Sequence, residues 1–170
     1  MILDIVKYPD PRLALKAEPV AEITDEIRQL AADMLETMYQ AEGIGLAAPQ
    51  IGRPLRMIVI DPLQREGSRQ PRVIINPELE LEGEIILSEN EGCLSVPLNY
   101  RADVPRRSAT RLKGLELDGT KIDEMLEGLP AIVVQHEVDH LDGTLFIDRI
   151  SHLRRTMYDN KVKKWQKASA

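Results

Sequence analysis

The segment QHEVDHLDG, residues 135–143, places two of the chain's three histidines four residues apart. In an α-helix, positions i and i+4 lie on one face, so His136 and His140 can direct their imidazoles at a single point. Glu137 follows the first histidine and can reach a water bound there, which is the HExxH arrangement of two nitrogen ligands and a general base. The pattern predicts a metal site on a helix. Two core histidines satisfied by hydrogen bonds are the less favoured alternative.

A catalytic site of this kind needs a third protein ligand and one open position. Downstream, the only other histidine is His152, which we interpret as part of the exposed first turn of a helix. Upstream, the segment ENEGCLSVP contains Cys93, the sole cysteine of the chain, so an internal disulfide is excluded. A lone cysteine is often a small buried apolar residue. Here Gly92 allows close backbone approach, which favours Cys93 as the third ligand.

A third segment, GIGLAAPQIG at residues 43–52, combines glycines with small residues and an amide side chain, Gln50. The backbone can approach a ligand closely there, and the amide can donate a hydrogen bond. A helix end followed by a turn is the simpler alternative. The glycine spacing differs from the dinucleotide-binding fingerprint, and no strand precedes it.

Apolar periodicity predicts three helices. The first begins after Thr24 as N-cap and stops at Gly43, with acidic residues in its first turn. The second begins at about Pro130, as its first position, and Gly143 lies just past its end. The third runs over about 151–167, and its residues Tyr158, Val162 and Trp165 share one face that we expect to pack on the body.

Short β-branched runs separated by turn residues predict strands at 56–61, 72–77 and 84–89. Residues 108–126 predict a hairpin that turns at Asp118 and Gly119. Strands and helices do not alternate, so we expect an α+β fold with a mostly antiparallel sheet. The length of 170 residues suits a single domain over 1–170.

The composition, 43% hydrophobic and 29% charged, is that of an ordinary globular protein. No apolar run approaches the ~20 residues that span a bilayer, and the N-terminus lacks a signal-peptide pattern. We therefore expect a cytoplasmic protein without membrane contact. The net charge of −6 disfavours DNA binding, but residues 154–167 carry a net +5. That basic stretch is either a solvated helix face or a contact for an anionic partner, and the sequence favours neither.

Three segments, taken in order, resemble the bacterial peptide deformylases: GIGLAAPQ (43–50), EGCLS (91–95) and QHEVDH (135–140). The opening YPDPRL and the overall length are similar too. A basic C-terminal helix without long internal insertions resembles the bacterial subtype. The resemblance implies mostly antiparallel sheets around a central metal-binding helix, followed by a C-terminal helix.

The resemblance also implies functional roles for individual residues. Cys93, His136 and His140 would hold one Fe²⁺ per chain, with Ni²⁺, Co²⁺ or Zn²⁺ as possible substitutes. Glu137 would be the general acid and base. The oxyanion would be bound by Gln50 and the backbone N–H of Leu94, with Gly45 nearby. The activity would be hydrolysis, by metal-activated water, of the formyl group on the initiator methionine of new chains, with release of formate.

The methionine pocket would be formed by the apolar residues Ile44, Leu129, Ile132 and Val133. Ordinary core packing is an equally favoured interpretation of these four residues. Arg101 is the candidate for an arginine that the family places near the substrate, although the loop around it varies in length. The C-terminal helix would dock on the ribosome. The alternatives are a zincin-like metallopeptidase, which would need a downstream third ligand, and a non-catalytic metal-site protein.

Overall fold

The computed structural model describes residues 1–169. Within that range a five-stranded sheet has the order β1-β2-β3-β4-β5, and every neighbouring pair is antiparallel. The strands are β1 (Gly45–Ala47), β2 (Met57–Ile60), β3 (Arg72–Glu91), β4 (Ala102–Leu115) and β5 (Lys121–Glu127). The helices are α1 (Asp25–Gln40), α2 (Leu129–Leu141) and α3 (His152–Ser169). This architecture confirms the predicted α+β class.

Strand β3 corrects the prediction of separate strands at 72–77 and 84–89, because one strand of 20 residues covers both. Pro77 ends the first predicted strand, Gly83 directly precedes the second, and both are typical strand breakers. Here the register against β4 shifts near each of them, and Gly83 has a φ of +74°. Bulges therefore absorb both residues, and pairing with β4 keeps the strand continuous.

The predicted hairpin is confirmed. Strands β4 and β5 pair from Ala109 with Glu127 to Leu115 with Lys121. Gly119 has a φ of +87°, and the Asp118 side chain accepts a hydrogen bond from the backbone N–H of Thr120. An aspartate and a glycine at these two positions are the usual chemistry of a tight turn.

Helix α1 begins as predicted, since the Thr24 side chain accepts a hydrogen bond from the backbone N–H of Ile27. Its end differs from the prediction. Glu42, and not Gly43, has the left-handed backbone, with a φ of +58°. The N–H of Gly43 reaches the carbonyl of Met38 at 2.9 Å, and the N–H of Glu42 reaches that of Tyr39 at 3.0 Å, which is a Schellman motif.

Helix α2 packs across the sheet and begins at Leu129, one residue before the predicted first position. Its buried residues Val133, Val134, Val138 and Leu141 share a core with apolar side chains of β2, β3 and β4. Leu141 is fully buried. Because this face is fixed against the sheet, the face that carries the histidines is held in one orientation.

Helix α3 packs through the predicted face: Tyr158 and Val162 are buried, and Trp165 is partly buried. Three lysines of this helix are exposed to solvent: Lys163, Lys164 and Lys167. The helix runs two residues beyond the predicted end. Among residues 1–169, no helix combines the length and the apolar character needed to span a membrane.

Candidate metal centre and active site

Helix α2 and the segment between β3 and β4 bring the three predicted ligands together. The ring centroids of His136 and His140 lie 5.2 Å apart, and the Sγ atom of Cys93 lies 3.3 Å from Nε2 of His140. One ligand atom from each residue lies within 4.8 Å of the others. Sequence spacing located the two histidines correctly, and the sole cysteine completes the cluster. His152 is exposed in the first turn of α3, as expected.

The donor set fits a divalent first-row transition metal. A thiolate and two imidazoles suit iron, cobalt, nickel or zinc, and three ligands leave one position open. Around a tetrahedral ion a sulfur and a nitrogen ligand are separated by about 3.5 Å, close to the distance between Cys93 and His140. His136 uses Nδ1 for a contact with Glu91, so its Nε2 is left for an ion. These residues therefore could hold a metal without rearrangement.

The two histidines differ in their charge state. Burial, and then the positive charges of His136 and Arg106, lower the pKa of His140, so this ring is neutral. Burial also opposes protonation of His136, but Glu137 and Cys93 outweigh it and raise the pKa of that ring. A metal that binds here displaces a proton from His136, so metal affinity falls as the pH is lowered.

An ion-pair network extends from His136 to the protein surface. Glu91 contacts His136 and receives two hydrogen bonds from Arg106, of 2.8 and 3.0 Å. Arg106 also donates to Asp139 at 2.7 Å, and Arg149 holds the same carboxylate with two bonds, of 2.7 and 2.8 Å. The Arg106 side chain is only 2% exposed. Bidentate geometry and burial make these pairs specific and costly to break.

Roles for these network residues were not predicted from the sequence, although two of them lie inside the segments quoted above. Glu91 opens EGCLS, and Asp139 stands one turn after His136 in QHEVDH. Burial alone would raise the pKa of Glu91, but the hydrogen bonds from His136 and Arg106 outweigh it and lower that pKa to about 2. Glu91 is therefore ionised at neutral pH and accepts the Nδ1 proton of His136.

Glu137 is 4% exposed, and its Oε1 has no hydrogen-bond partner among the described residues. Burial raises its pKa to about 7, against the opposing charges of His136 and Arg106. A Cβ atom at Gly45 would lie 2.4 Å from Oε2 of Glu137. Glycine is therefore required at position 45 because the carboxylate occupies that space. A carboxylate with a pKa near neutrality can both accept and donate a proton at physiological pH.

The amide of Gln50 is buried and held at both ends. Its Oε1 accepts from the backbone N–H of Ala47 at 2.9 Å, and its Nε2 donates to Oγ of Ser95 at 3.0 Å. The same Nε2 lies 3.4 Å from Sγ of Cys93. Ser95, the last residue of EGCLS, is a partner that sequence analysis missed. The amide N–H group is thereby aimed at the metal cluster.

An open cleft of about 790 Å³, the active-site cleft, lies over this cluster. Every residue predicted for substrate binding lines it, namely Ile44, Arg101, Leu129, Ile132 and Val133. The cleft is also lined by six residues of the predicted catalytic and metal sites: Gly45, Gln50, Cys93, Leu94, His136 and Glu137. His140 is buried behind the cleft wall. Arg101 packs over Gly92, where a Cβ atom would lie 3.0 Å from its Nη1. The fold thus brings all predicted site residues to one place.

A buried carboxylate next to a cysteine and two histidines, below an open cleft, is the arrangement of a metal-dependent hydrolase. The family model described as polypeptide deformylase matches residues 2–156, and the chain belongs to that family. It is 52% identical over 163 residues to the peptide deformylase of Alkalilimnicola ehrlichii, covering 96% of this chain and 90% of that protein.

Solved structures agree with this family assignment. The crystal structure of a peptide deformylase from Legionella pneumophila has a TM-score of 0.89 and 40% identity, over 99% of this chain and 98% of the other. A peptide deformylase from Acinetobacter baumannii, crystallised with bound Met-Ala-Ser, has a TM-score of 0.81 and 38% identity, over 88% and 99% of the two chains. The protein is therefore a hydrolase of protein biosynthesis that removes the formyl group from N-formylmethionyl peptides. Neither the zincin-like nor the non-catalytic alternative is retained.

Proposed function

We propose that Cys93, His136 and His140 hold one Fe²⁺ per chain and that Glu137 transfers the proton during deformylation. The observation that carries this proposal is the position of Glu137, whose buried and unpartnered Oε1 stands beside three convergent ligand atoms. When bound, the metal lowers the pKa of a coordinated water from about 15.7 to about 7 and so supplies a nucleophile at neutral pH.

Glu137 performs both proton transfers. Its carboxylate takes the proton of the attacking water and passes it to the departing nitrogen, which must leave as a neutral amine. In the metal-free protein burial raises the pKa of Glu137 to about 7, into the range of groups that transfer protons near neutral pH. Gly45 leaves room for the carboxylate, because a Cβ atom there would lie 2.4 Å from Oε2 of Glu137.

The developing oxyanion on the formyl oxygen is bound by Nε2 of Gln50 and the backbone N–H of Leu94. The Gln50 amide is already oriented by Ala47 and Ser95, so it needs no reorganisation when charge develops. A preorganised donor of this kind contributes about 3–4 kcal/mol to transition-state stabilisation.

The methionine side chain occupies the apolar part of the active-site cleft, formed by Ile44, Leu129, Ile132 and Val133. Arg101 stands at the cleft mouth and contacts the peptide backbone. The bound Met-Ala-Ser of the Acinetobacter baumannii enzyme supports a methionine-first peptide as ligand. Because a formyl carbon carries only hydrogen, a tight site next to Gly45 excludes larger acyl groups.

Iron as the working metal, with nickel, cobalt or zinc as substitutes, is tested by elemental analysis of anaerobically purified protein. The same sample is assayed for formate release from formyl-Met-Ala, with casein as the control for peptidase activity. We expect about one iron per chain, formate release, and no cleavage of casein. A zinc-loaded protein of full activity would contradict iron, and cleavage of casein would contradict the deformylase assignment.

The exposed lysines of α3 form a contact for ribosomal RNA. They lie on the side of the helix away from the buried Tyr158 and Val162, and they stand out against a net charge of −6. RNA phosphates attract such a face in a salt-dependent manner. A ribosome-bound deformylase meets its substrate as the chain emerges, so we expect the protein to act in the cytoplasm.

A further inference from the structure

The side chain of Gln135, which directly precedes the ligand candidate His136, bonds to the backbone of strand β4. Gln135 is 6% exposed. Its Oε1 accepts a hydrogen bond of 3.0 Å from the backbone N–H of Arg107. Its Nε2 donates to the carbonyl oxygens of Arg107, at 2.9 Å, and Ala131, at 3.0 Å. The amide oxygen and both amide hydrogens are therefore engaged, and these partners allow the side chain only one orientation.

The two bonds to Arg107 take the place of a neighbouring strand. Strand β5 pairs with β4 as far as Ala109, which lies opposite Glu127. Arg107 comes two residues earlier on β4, so its N–H and carbonyl point to the same edge as those of Ala109. The Gln135 amide occupies that edge and satisfies both backbone groups. Helix α2 is thereby joined to the backbone of β4.

The next turn of α2 holds the side chain of the preceding arginine. Asp139 lies four residues after Gln135, on the same face of the helix. It accepts a hydrogen bond of 2.7 Å from Nη1 of Arg106. Because consecutive strand residues face opposite sides, the position of the Arg107 backbone fixes the direction in which the Arg106 side chain leaves the strand. Two successive turns of the helix thus hold two successive residues of β4.

We propose that Gln135 is a positioning residue for the metal centre. It acts through the buried arginine and carboxylate that hold His136, and the inference rests on the metal centre proposed above. Arg106 donates two hydrogen bonds to Glu91, and Glu91 contacts Nδ1 of His136 at 3.0 Å. A carboxylate at the second nitrogen of a ligating histidine sets the orientation of the ring. A shift of the β4 backbone at Arg107 would therefore reach the ligand nitrogen of His136.

Metal affinity tests the inference without recourse to turnover. Co²⁺ is titrated into the metal-free wild type and into Gln135→Met, a change that keeps the length of the side chain and removes its hydrogen bonds. We expect about tenfold weaker Co²⁺ binding in the variant and an altered Co²⁺ absorption spectrum, because Nε2 of His136 is no longer held in the same direction. Unchanged Co²⁺ affinity in Gln135→Met would overturn the inference.

Val134→Ala is the matched control for a general loss of packing. Val134 is fully buried on the same helix, in the apolar core that α2 shares with the sheet. Its truncation weakens that core without removing a hydrogen bond to β4, so Co²⁺ affinity should stay within about twofold of the wild type. A loss of affinity equal to that of Gln135→Met would show that packing alone accounts for the effect, and the role of Gln135 would be refuted.

A double-mutant cycle tests the route through Glu91. Glu91→Gln alone should weaken Co²⁺ binding by about 10–100-fold. Combined with Gln135→Met, it should weaken binding no further, because both changes act on the same contact with His136. Two losses that multiply would show that Gln135 and Glu91 act independently, and the proposed route would be wrong.

Folding of each variant is checked by the unfolding transition of the metal-free protein. If Gln135→Met does not fold, Gln135→Asn replaces it in both experiments, since it keeps an amide but is one methylene too short to reach Arg107. The same losses are expected from it. A wild type that binds no Co²⁺ would instead refute the metal centre itself, whereas wild-type binding together with an unaffected variant refutes only the role of Gln135.

Discussion

Oε1 of Glu91 lies 3.0 Å from Nδ1 of His136, and this contact joins a metal-ligand candidate to a buried arginine. An ionised Glu91 accepts the proton of Nδ1 and so directs the lone pair of Nε2 toward the metal position. Arg106 holds Glu91 from the other side and is itself held by Asp139. The orientation of His136 therefore depends on charges that never touch the substrate.

The first prediction concerns Glu91→Gln in the metal-free protein. The pKa of Glu91 is lowered from 4.5 to about 2, so its stabilisation is complete above pH 4.5 and is lost as the pH falls through about 2. The wild type should exceed the variant by about 3 kcal/mol in free energy of unfolding at pH 6. Urea unfolding at pH 6, 4 and 2.5 should show this difference shrinking.

Glu84→Gln is the matched control, because Glu84 is an exposed glutamate of the same strand. It should follow the wild type at every pH. A difference between wild type and Glu91→Gln that stays constant from pH 6 to pH 2.5 would show that Glu91 does not stabilise the protein through its charge.

The second prediction is that Glu137→Gln keeps the metal and loses two to four orders of magnitude, roughly, in kcat. The amide cannot accept the proton of the water, whereas the three ligands are untouched. Formate release and metal content are measured on the same sample, with Glu116→Gln as an exposed control. Loss of the metal in Glu137→Gln would identify Glu137 as a ligand and overturn its assignment.

The third prediction compares two neighbouring glycines. Gly45→Ala places a methyl group 2.4 Å from Oε2 of Glu137, so the carboxylate must move, and kcat should fall by about 100-fold. Gly43→Ala meets only the terminal methyl Cδ1 of Leu94, at 2.9 Å, which can rotate away. Its kcat should change by about twofold. Similar losses in both variants would argue against a special fit between Gly45 and Glu137.

The fourth prediction concerns oxidation. A thiolate ligand is open to conversion to sulfenic and sulfinic acid, and Fe²⁺ in the site is itself oxidised. Activity of the iron form should decline in air, and catalase or replacement by Ni²⁺ should protect it. Mass spectrometry of Cys93 distinguishes thiol oxidation from loss of iron. Full activity of the iron form after prolonged exposure to air would count against iron as the working metal.

The fifth prediction tests the ribosome contact. Replacing Lys163, Lys164 and Lys167 by glutamate should leave hydrolysis of formyl-Met-Ala-Ser nearly unchanged, because the helix face that packs on the body is untouched. Co-sedimentation with ribosomes at low salt should drop sharply, since each replacement reverses a charge.

A variant with the same change of charge elsewhere is the control: Lys16, Lys113 and Lys121 replaced by glutamate. This control should sediment with ribosomes like the wild type. If both triple variants lose binding equally, net charge and not the α3 surface governs the association. If the α3 variant binds like the wild type, the lysines are only a solvated face.

The sequence predicted which ligand candidates converge because their signals are local. Two histidines at helical spacing with Glu137 between them need only a helix to converge, and a single cysteine leaves one candidate for the third ligand. The burial of Tyr158 and Val162 followed from helical periodicity in the same way. These features depend on neighbours in the chain, which the sequence displays directly.

Long-range register was not predictable in this way. Arg106 and Arg107 are adjacent, yet Arg106 points inward to Glu91 while the Arg107 guanidinium reaches out to the carbonyl of Gly83. Which arginine faces inward depends on the register of β4 against β3, and bulges set that register. The left-handed backbone of Glu42 was not predicted for a different reason: the adjacent Gly43 is the residue type that usually adopts this conformation at a helix end.

Cys93 and His140 lie 47 residues apart in the chain, and strands β4 and β5 and most of helix α2 lie between them. An ion bound by both closes that loop as a covalent cross-link would, in a chain that has no second cysteine to form a disulfide. Loop-closure entropy for this length corresponds to about 4 kcal/mol. Chelation should therefore do more than stop turnover: it should lower the melting temperature and open the polypeptide to proteases, which links the lifetime of the protein to its supply of metal.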